Sequence, residues 1–194
     1  MKYRAIVIGA SAGGMDAIKQ ILISLPQNFE VPIIIVQHLN SHSDGYIVKY
    51  LNEICQINVK EADEKERVLS GNVYLAPPNY HLLAEKDGTL SLTVDNKENY
   101  SRPSIDILFE SAAEVYRNEL IGIILTGANK DGSKGLKRIK ELEGITIVQD
   151  PSTAEADFMP KAAISLAKVD YILTLDEINK KIVKLVREIN ETEE

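Results

Sequence analysis

The stretch Ile6-Val7-Ile8-Gly9-Ala10-Ser11-Ala12-Gly13-Gly14 limits what this chain can fold into more than any other. The residues leading to Ile8 form an unbroken apolar run, the mark of a strand covered on both faces. The run stops at Gly9. Apolar residues resume after Gly14 at helical spacing, as Met15, Ile18, Ile21, Leu22 and Leu25. A strand that becomes a helix through a Gly-rich corner opens a βα unit, and what the corner holds decides the chemistry. A dinucleotide fingerprint requires G-x-G-x-x-G, but Ser11 stands where the second glycine would let a pyrophosphate approach. A phosphate loop ends in G-K-[ST], whereas Gly14 is followed by Met15-Asp16. Gly9 to Gly13 fits G-x-S-x-G instead, in which a serine sits exposed on a sharp strand-to-helix turn, ahead of amides that can stabilise an oxyanion. Three readings stay open on these residues: a nucleophile, an anion or nucleotide cradle, or a serine that only caps the helix.

The remainder of the chain repeats the alternation. Apolar runs at residues 32–36, 57–59, 73–76, 120–125, 145–148 and 171–175 read as strands. Helical patterns fall at 46–54, 132–142, 159–167 and 176–189, with Asp176 as a candidate N-cap. Ile105, Leu108, Phe109, Ala112, Ala113 and Tyr116 form one helical face that Pro103 would open as the first helical residue. Residues 81–84 and 89–94 read as a hairpin about Lys86-Asp87-Gly88, and the polar segments 60–67 and 95–102 read as loops. Strands alternating with helices imply right-handed crossovers. The expected fold is therefore α/β: a doubly wound, mostly parallel sheet with helices on both faces and a small β-hairpin. Residues 1–194 are expected to form a single domain with an acidic tail at about 190–194.

Composition narrows the function classes. A net charge of -7 with no local Lys/Arg cluster argues against nucleic acid as a partner. The single cysteine, Cys55, leaves no disulfide framework and suits a reducing cytoplasm, and it is expected to pack rather than react. No apolar run approaches the length of a membrane span, so no membrane insertion is expected. No metal-ligand spacing or cofactor signature is present, and none is expected to be needed.

In a doubly wound sheet, ligands bind beyond the carboxyl ends of the strands, and this rule selects the residues that can meet Ser11. Of the three histidines, His38 follows an apolar strand and is placed to act as a general base, or to be a half-buried structural histidine. His42 reads as a solvated loop residue and His81 as the start of a hairpin strand. Three carboxylates follow strands as well: Asp131, Asp150 and Asp176. Asp150 precedes Pro151 and can fix a turn; spacing alone barely separates Asp131 from the others.

At this point several blocks, taken together, resemble one family. Gly9-Ala10-Ser11-Ala12-Gly13-Gly14, Gln37-His38, Ala76-Pro77 with His81, Arg102-Pro103-Ser104-x-Asp106, Thr126-Gly127 with Asp131-Gly132, and Gln149-Asp150-Pro151 with Met159-Pro160 occur in the order found in the chemotaxis protein-glutamate methylesterases. The resemblance spans about residues 4–175. It implies a serine hydrolase, cytoplasmic, that demethylates glutamate γ-methyl esters and also deamidates glutamines on methylated chemoreceptor-like helices. It implies Ser11 as nucleophile, His38 as base and Asp131 as the acid that orients it. The chain departs from the family pattern at Ala12, where Thr is usual, and at Ala128-Asn129, where Met-Gly is usual. Its first strand begins near Arg4, so no receiver domain is expected to cover the site, and control is expected from a separate regulatory protein.

Overall fold

The computed structural model describes residues 3–38 and 45–187. Seven strands form one sheet in the order β3-β4-β2-β1-β7-β8-β9, and every neighbouring pair is parallel. They are β1 (Ala5–Ala10), β2 (Ile33–Gln37), β3 (Asn58–Glu61), β4 (Asn72–Leu75), β7 (Leu120–Ile124), β8 (Ile145–Gln149) and β9 (Tyr171–Leu173). The hairpin stands apart as β5 (His81–Ala84) against β6 (Leu90–Thr93).

The centre of the sheet reads as the sequence predicts. Every residue of β1, β2 and β7 is buried, because helices close both faces. One face packs α1 (Gly14–Ile23), α2 (Tyr46–Ile54) and α6 (Leu175–Arg187) against Ile6, Ile8, Ile33, Ile35 and Ile123. The other packs α3 (Ile105–Tyr116), α4 (Ser133–Glu141), α5 (Phe158–Leu166) and the hairpin against Val7, Ile34, Val36 and Ile124. Each such aliphatic side chain contributes about 1.5–3 kcal/mol by leaving water. Successive residues of one strand therefore serve opposite cores, which is why these strands are apolar without a break.

Some boundaries differ from the expected ones. Lys60 and Glu61 belong to β3 rather than to a loop, because their backbone pairs with Tyr74 and Leu75. Pro103 does not open α3: it follows a cis peptide bond, Ser104 remains extended, and the helix starts at Ile105. Asp176 lies inside α6 and accepts from Gln20 Nε2. The helix is capped instead by Thr174 and Glu177, whose side chains bond each other's backbone N–H at 3.4 and 2.9 Å, a reciprocal capping box.

From β1 the chain moves outward through β2 to the edge strand β3, steps back to β4 between them, and after the hairpin returns to β7 on the other side of β1. The order reverses between β1 and β7, and a crevice opens there beyond the strand ends.

Candidate active site

Ser11 follows β1 directly at this switch point. Two glycines make the corner possible. A Cβ on Gly9 would collide with the side chain of Ile105, so glycine here lets the start of α3 lie against β1. Gly13 has φ +71, a left-handed conformation that glycine adopts at little cost, and it turns the chain into α1. The Ser11 backbone is tied on both sides. Its N–H donates to Thr126 O at 3.0 Å, and its carbonyl accepts from Gln37 Nε2 and from Gly14 N–H, both at 2.8 Å. A fixed backbone holds the half-buried hydroxyl in one place.

His38 follows β2, and its ring stands between Ser11 and Asp131. Nδ1 lies 3.3 Å from Ser11 Oγ, and Nε2 lies 2.9 Å from Asp131 Oδ2. Its side chain is 12% exposed; that of Asp131 is 0% exposed. Asp131 lies in the corner between β7 and α4. Oδ2 also accepts from Ile105 N–H at 2.7 Å, and Oδ1 accepts from Ser104 Oγ at 2.9 Å and from Asn99 Nδ2, Asp106 N–H and Gly132 N–H at 3.1 Å each. Ile105 and Asp106 open α3, so the carboxylate of Asp131 caps that helix from across the fold and sits at its positive end. Burial alone would push the Asp131 carboxyl upward, but the His38 ring and these amides prevail and hold it below the usual range. Asp131 is thus a buried anion whose lone pairs are all engaged, one of them by His38.

A second carboxylate lies beneath the first. Asp106 accepts from Gly135 N–H at 2.8 Å and from Asn99 Nδ2 at 3.0 Å, so Asn99 bridges the two acids. Burial, with the charge of Asp131 adding to it, pushes Asp106 up to about 6 despite the Gly135 amide. In the unfolded chain the group titrates near 3.8. The folded state therefore keeps a proton that the unfolded state has lost between those values, and stability from this group, complete below pH 4, falls as pH rises toward 6. Wild type is expected to lose melting temperature relative to Asp106→Asn from pH 4 to pH 7. A difference that stays constant across that range would contradict the assignment.

The other residues singled out from sequence fall elsewhere. Asp150 accepts from Ser152 N–H and Oγ, fixing the turn after β8. Cys55 ends α2 and packs against the core, and burial pushes its thiol up. His42 lies outside the described residues. His81 is fully buried; it accepts Ser104 N–H at Nδ1 and meets Asn96 O through Nε2, so it steadies the segment on which Asp131 rests. The sequence assigns no role to Gln37, Gln149, Asn99, Ser104 or Asn129, although all but Asn99 fall in the blocks quoted above. Gln149 Oε1 accepts Thr126 N–H, and Thr126 Oγ1 donates to Ala12 O. The local signal for Gln37 and Gln149 is a glutamine at the end of a buried, mostly aliphatic strand. Beside His38 a cleft of about 220 Å³ is lined, among the described residues, by Asn79, Lys97, Tyr100, Ser101, Arg102 and Pro103, none of them a carboxylate.

The family model for CheB methylesterase matches residues 6–182. A Leptospira interrogans protein is 56% identical over 185 residues, covering 95% of this chain and 96% of its own length. A Thermotoga maritima protein named protein-glutamate methylesterase/protein-glutamine glutaminase is 37% identical over 186 residues, and the match covers 94% of this chain but only 54% of that one. The crystal structure of the Thermotoga maritima CheB methylesterase catalytic domain superposes with a TM-score of 0.91 at 35% identity, over 94% of this chain and 98% of that one. With the match running through nearly every strand and helix, the chain belongs to the CheB methylesterase family, a family of carboxylic ester hydrolases.

Proposed function

We propose that the chain demethylates glutamate γ-methyl esters on chemoreceptor-like helices, with Ser11 as nucleophile, His38 as general base and Asp131 as its orienting acid. The observation that supports this most is the unbroken contact from Ser11 Oγ through His38 to a fully buried, fully bonded carboxylate. His38 Nδ1 removes the Ser11 proton as Oγ attacks the ester carbon, and the carbonyl electron pair moves onto oxygen. Ala12 N–H, which has no hydrogen-bond partner among the described residues, donates to that oxygen. The tetrahedral intermediate collapses as Nδ1 returns the proton to the methoxy oxygen, and methanol leaves. Water, deprotonated by the same nitrogen, then releases glutamate from the acyl-enzyme. A glutamine side chain would follow the same course with ammonia as the leaving group.

Lys97 and Arg102 beside His38, with no acid among the described residues that line the cleft, suit a substrate segment rich in carboxylates. The test is methanol release from methyl-esterified receptor fragments. Wild type is expected to release methanol and Ser11→Ala to release none above background. Equal release by both would overturn the proposal.

A further inference from the structure

Asn129 stands in the corner between β7 and Asp131, and both ends of its carboxamide are engaged. Oδ1 accepts Asp131 N–H at 3.0 Å, and Nδ2 lies 3.2 Å from His38 Nδ1. The first contact settles the orientation of the second. A backbone N–H can only donate, so the atom facing it is the oxygen, and the atom facing His38 is the NH2 group. His38 Nδ1 therefore receives a donor from Asn129 on the same lone pair that must take the Ser11 proton, and the ring's hydrogen stands on Nε2, toward Asp131. A turn formed by Oδ1 accounts for the first contact alone. It leaves the aim of Nδ2 at the reacting nitrogen unexplained.

Proton transfer makes the resting contact untenable. Once Nδ1 has taken the Ser11 proton it is a donor facing the NH2 of Asn129. The amide cannot present its oxygen instead while that oxygen holds Asp131 N–H. At the same moment a new anionic acceptor forms on the carbon bonded to Ser11 Oγ, the atom 3.3 Å from Nδ1. We propose that Asn129 is a further catalytic residue: its Nδ2 donates to His38 Nδ1 in the resting enzyme and passes to the oxyanion when Nδ1 is protonated. The step balances without any proton leaving the amide. The Oγ–H bond breaks as the Nδ1–H and Oγ–C bonds form, and the carbonyl π pair becomes the oxyanion that Nδ2 then holds. When Nδ1 gives its proton to the leaving methoxy group, the carbonyl reforms and Nδ2 returns to the freed lone pair. The amide thus stabilises charge only where charge has developed, the condition for lowering a barrier rather than tightening ground-state binding.

The inference rests on the triad mechanism proposed above, and its test separates the two. Asn129→Ser and Asn129→Asp each keep an oxygen for Asp131 N–H while removing the NH2 group. Both are to be compared with wild type and Ser11→Ala for methanol release, and for affinity toward a trifluoromethyl ketone analogue of the glutamyl ester, which forms an oxyanion on addition of Ser11. Asn129→Ser is expected to lower kcat by about 10^2-fold to 10^3-fold, the usual cost of losing one oxyanion donor, with KM changed less than about threefold. It should weaken the ketone by the same factor as kcat/KM, and Asn129→Asp should lose at least as much. An Asn129→Ser enzyme with unchanged or increased kcat would overturn the inference. So would a loss of kcat with ketone affinity intact, which is the signature of a merely structural residue. Neither result touches the triad mechanism as long as Ser11→Ala is inactive; methanol release by Ser11→Ala would sink both.

Discussion

Replacing Ser11 or His38 with alanine is expected to lower kcat for glutamyl methyl-ester hydrolysis by about 10^4-fold or more, and the double replacement to cost little beyond either single one. In the proposed mechanism the two side chains perform one event. Without an acceptor at Nδ1, 3.3 Å from Oγ, the Ser11 hydroxyl keeps its proton, and without the hydroxyl a correctly placed imidazole has nothing to activate. Residues that act as a unit show losses that do not add. The measurement is steady-state methanol release by the two single variants and the double variant, with folding checked by thermal melting. Losses that multiply would mean that Ser11 and His38 contribute independently, which a shared proton does not allow.

Asp131→Asn is expected to come close to that loss, about 10^4-fold in kcat, because an orienting acid that becomes an amide favours the wrong imidazole tautomer. Here the change reaches further than the ring. Asp131 accepts from the first two amides of α3 and from Ser104, Asn99 and Gly132, and a carboxamide would set an NH2 group against some of those donors. A buried donor left without an acceptor costs about 1–3 kcal/mol, so the variant should also lose stability. Asp150→Asn and Asp176→Asn should leave kcat within about twofold, since Asp150 bonds Ser152 and Asp176 bonds Gln20. If Asp150→Asn abolished activity while Asp131→Asn preserved it, the acid would have been misassigned.

The contrast among the three aspartates shows where sequence stops being informative. The corner at Ser11 is legible because a strand period gives way to a helical one through glycines, a local property of adjacent residues. His38 is legible as the end of an apolar run. The parallel sheet and its hairpin follow from the same periodicities, and the CheB catalytic-domain fold bears that architecture out. What sets Asp131 apart is not local. It faces the start of α3, a helix from an earlier part of the chain, which reaches it only because Gly9 and Gly132 leave room for Ile105. Family resemblance singled out Asp131; spacing could not.

The same limit hid the residues around it. Asn99 falls in a segment without periodicity and takes φ 47, so nothing local announces that its amide will bridge two buried acids. Pro103 reads as a helix opener by residue preference, yet the helix starts two residues later. Ser104 remains extended because its hydroxyl is held by Asp131 and its N–H by His81. At α6 the cap is legible, since Thr174 and Glu177 have the spacing of a capping box, whereas the neighbouring Asp176 bonds Gln20 instead.

The central claim is that Ser11, activated by His38, forms the covalent intermediate. The most direct measurement is to treat the protein with a fluorophosphonate probe and locate the adduct by peptide mass spectrometry, in wild type and in His38→Ala. The predicted result is one adduct, on Ser11, formed in wild type and lost in His38→Ala. An adduct on another residue, or an unlabelled Ser11 in a protein that still releases methanol, would contradict the account.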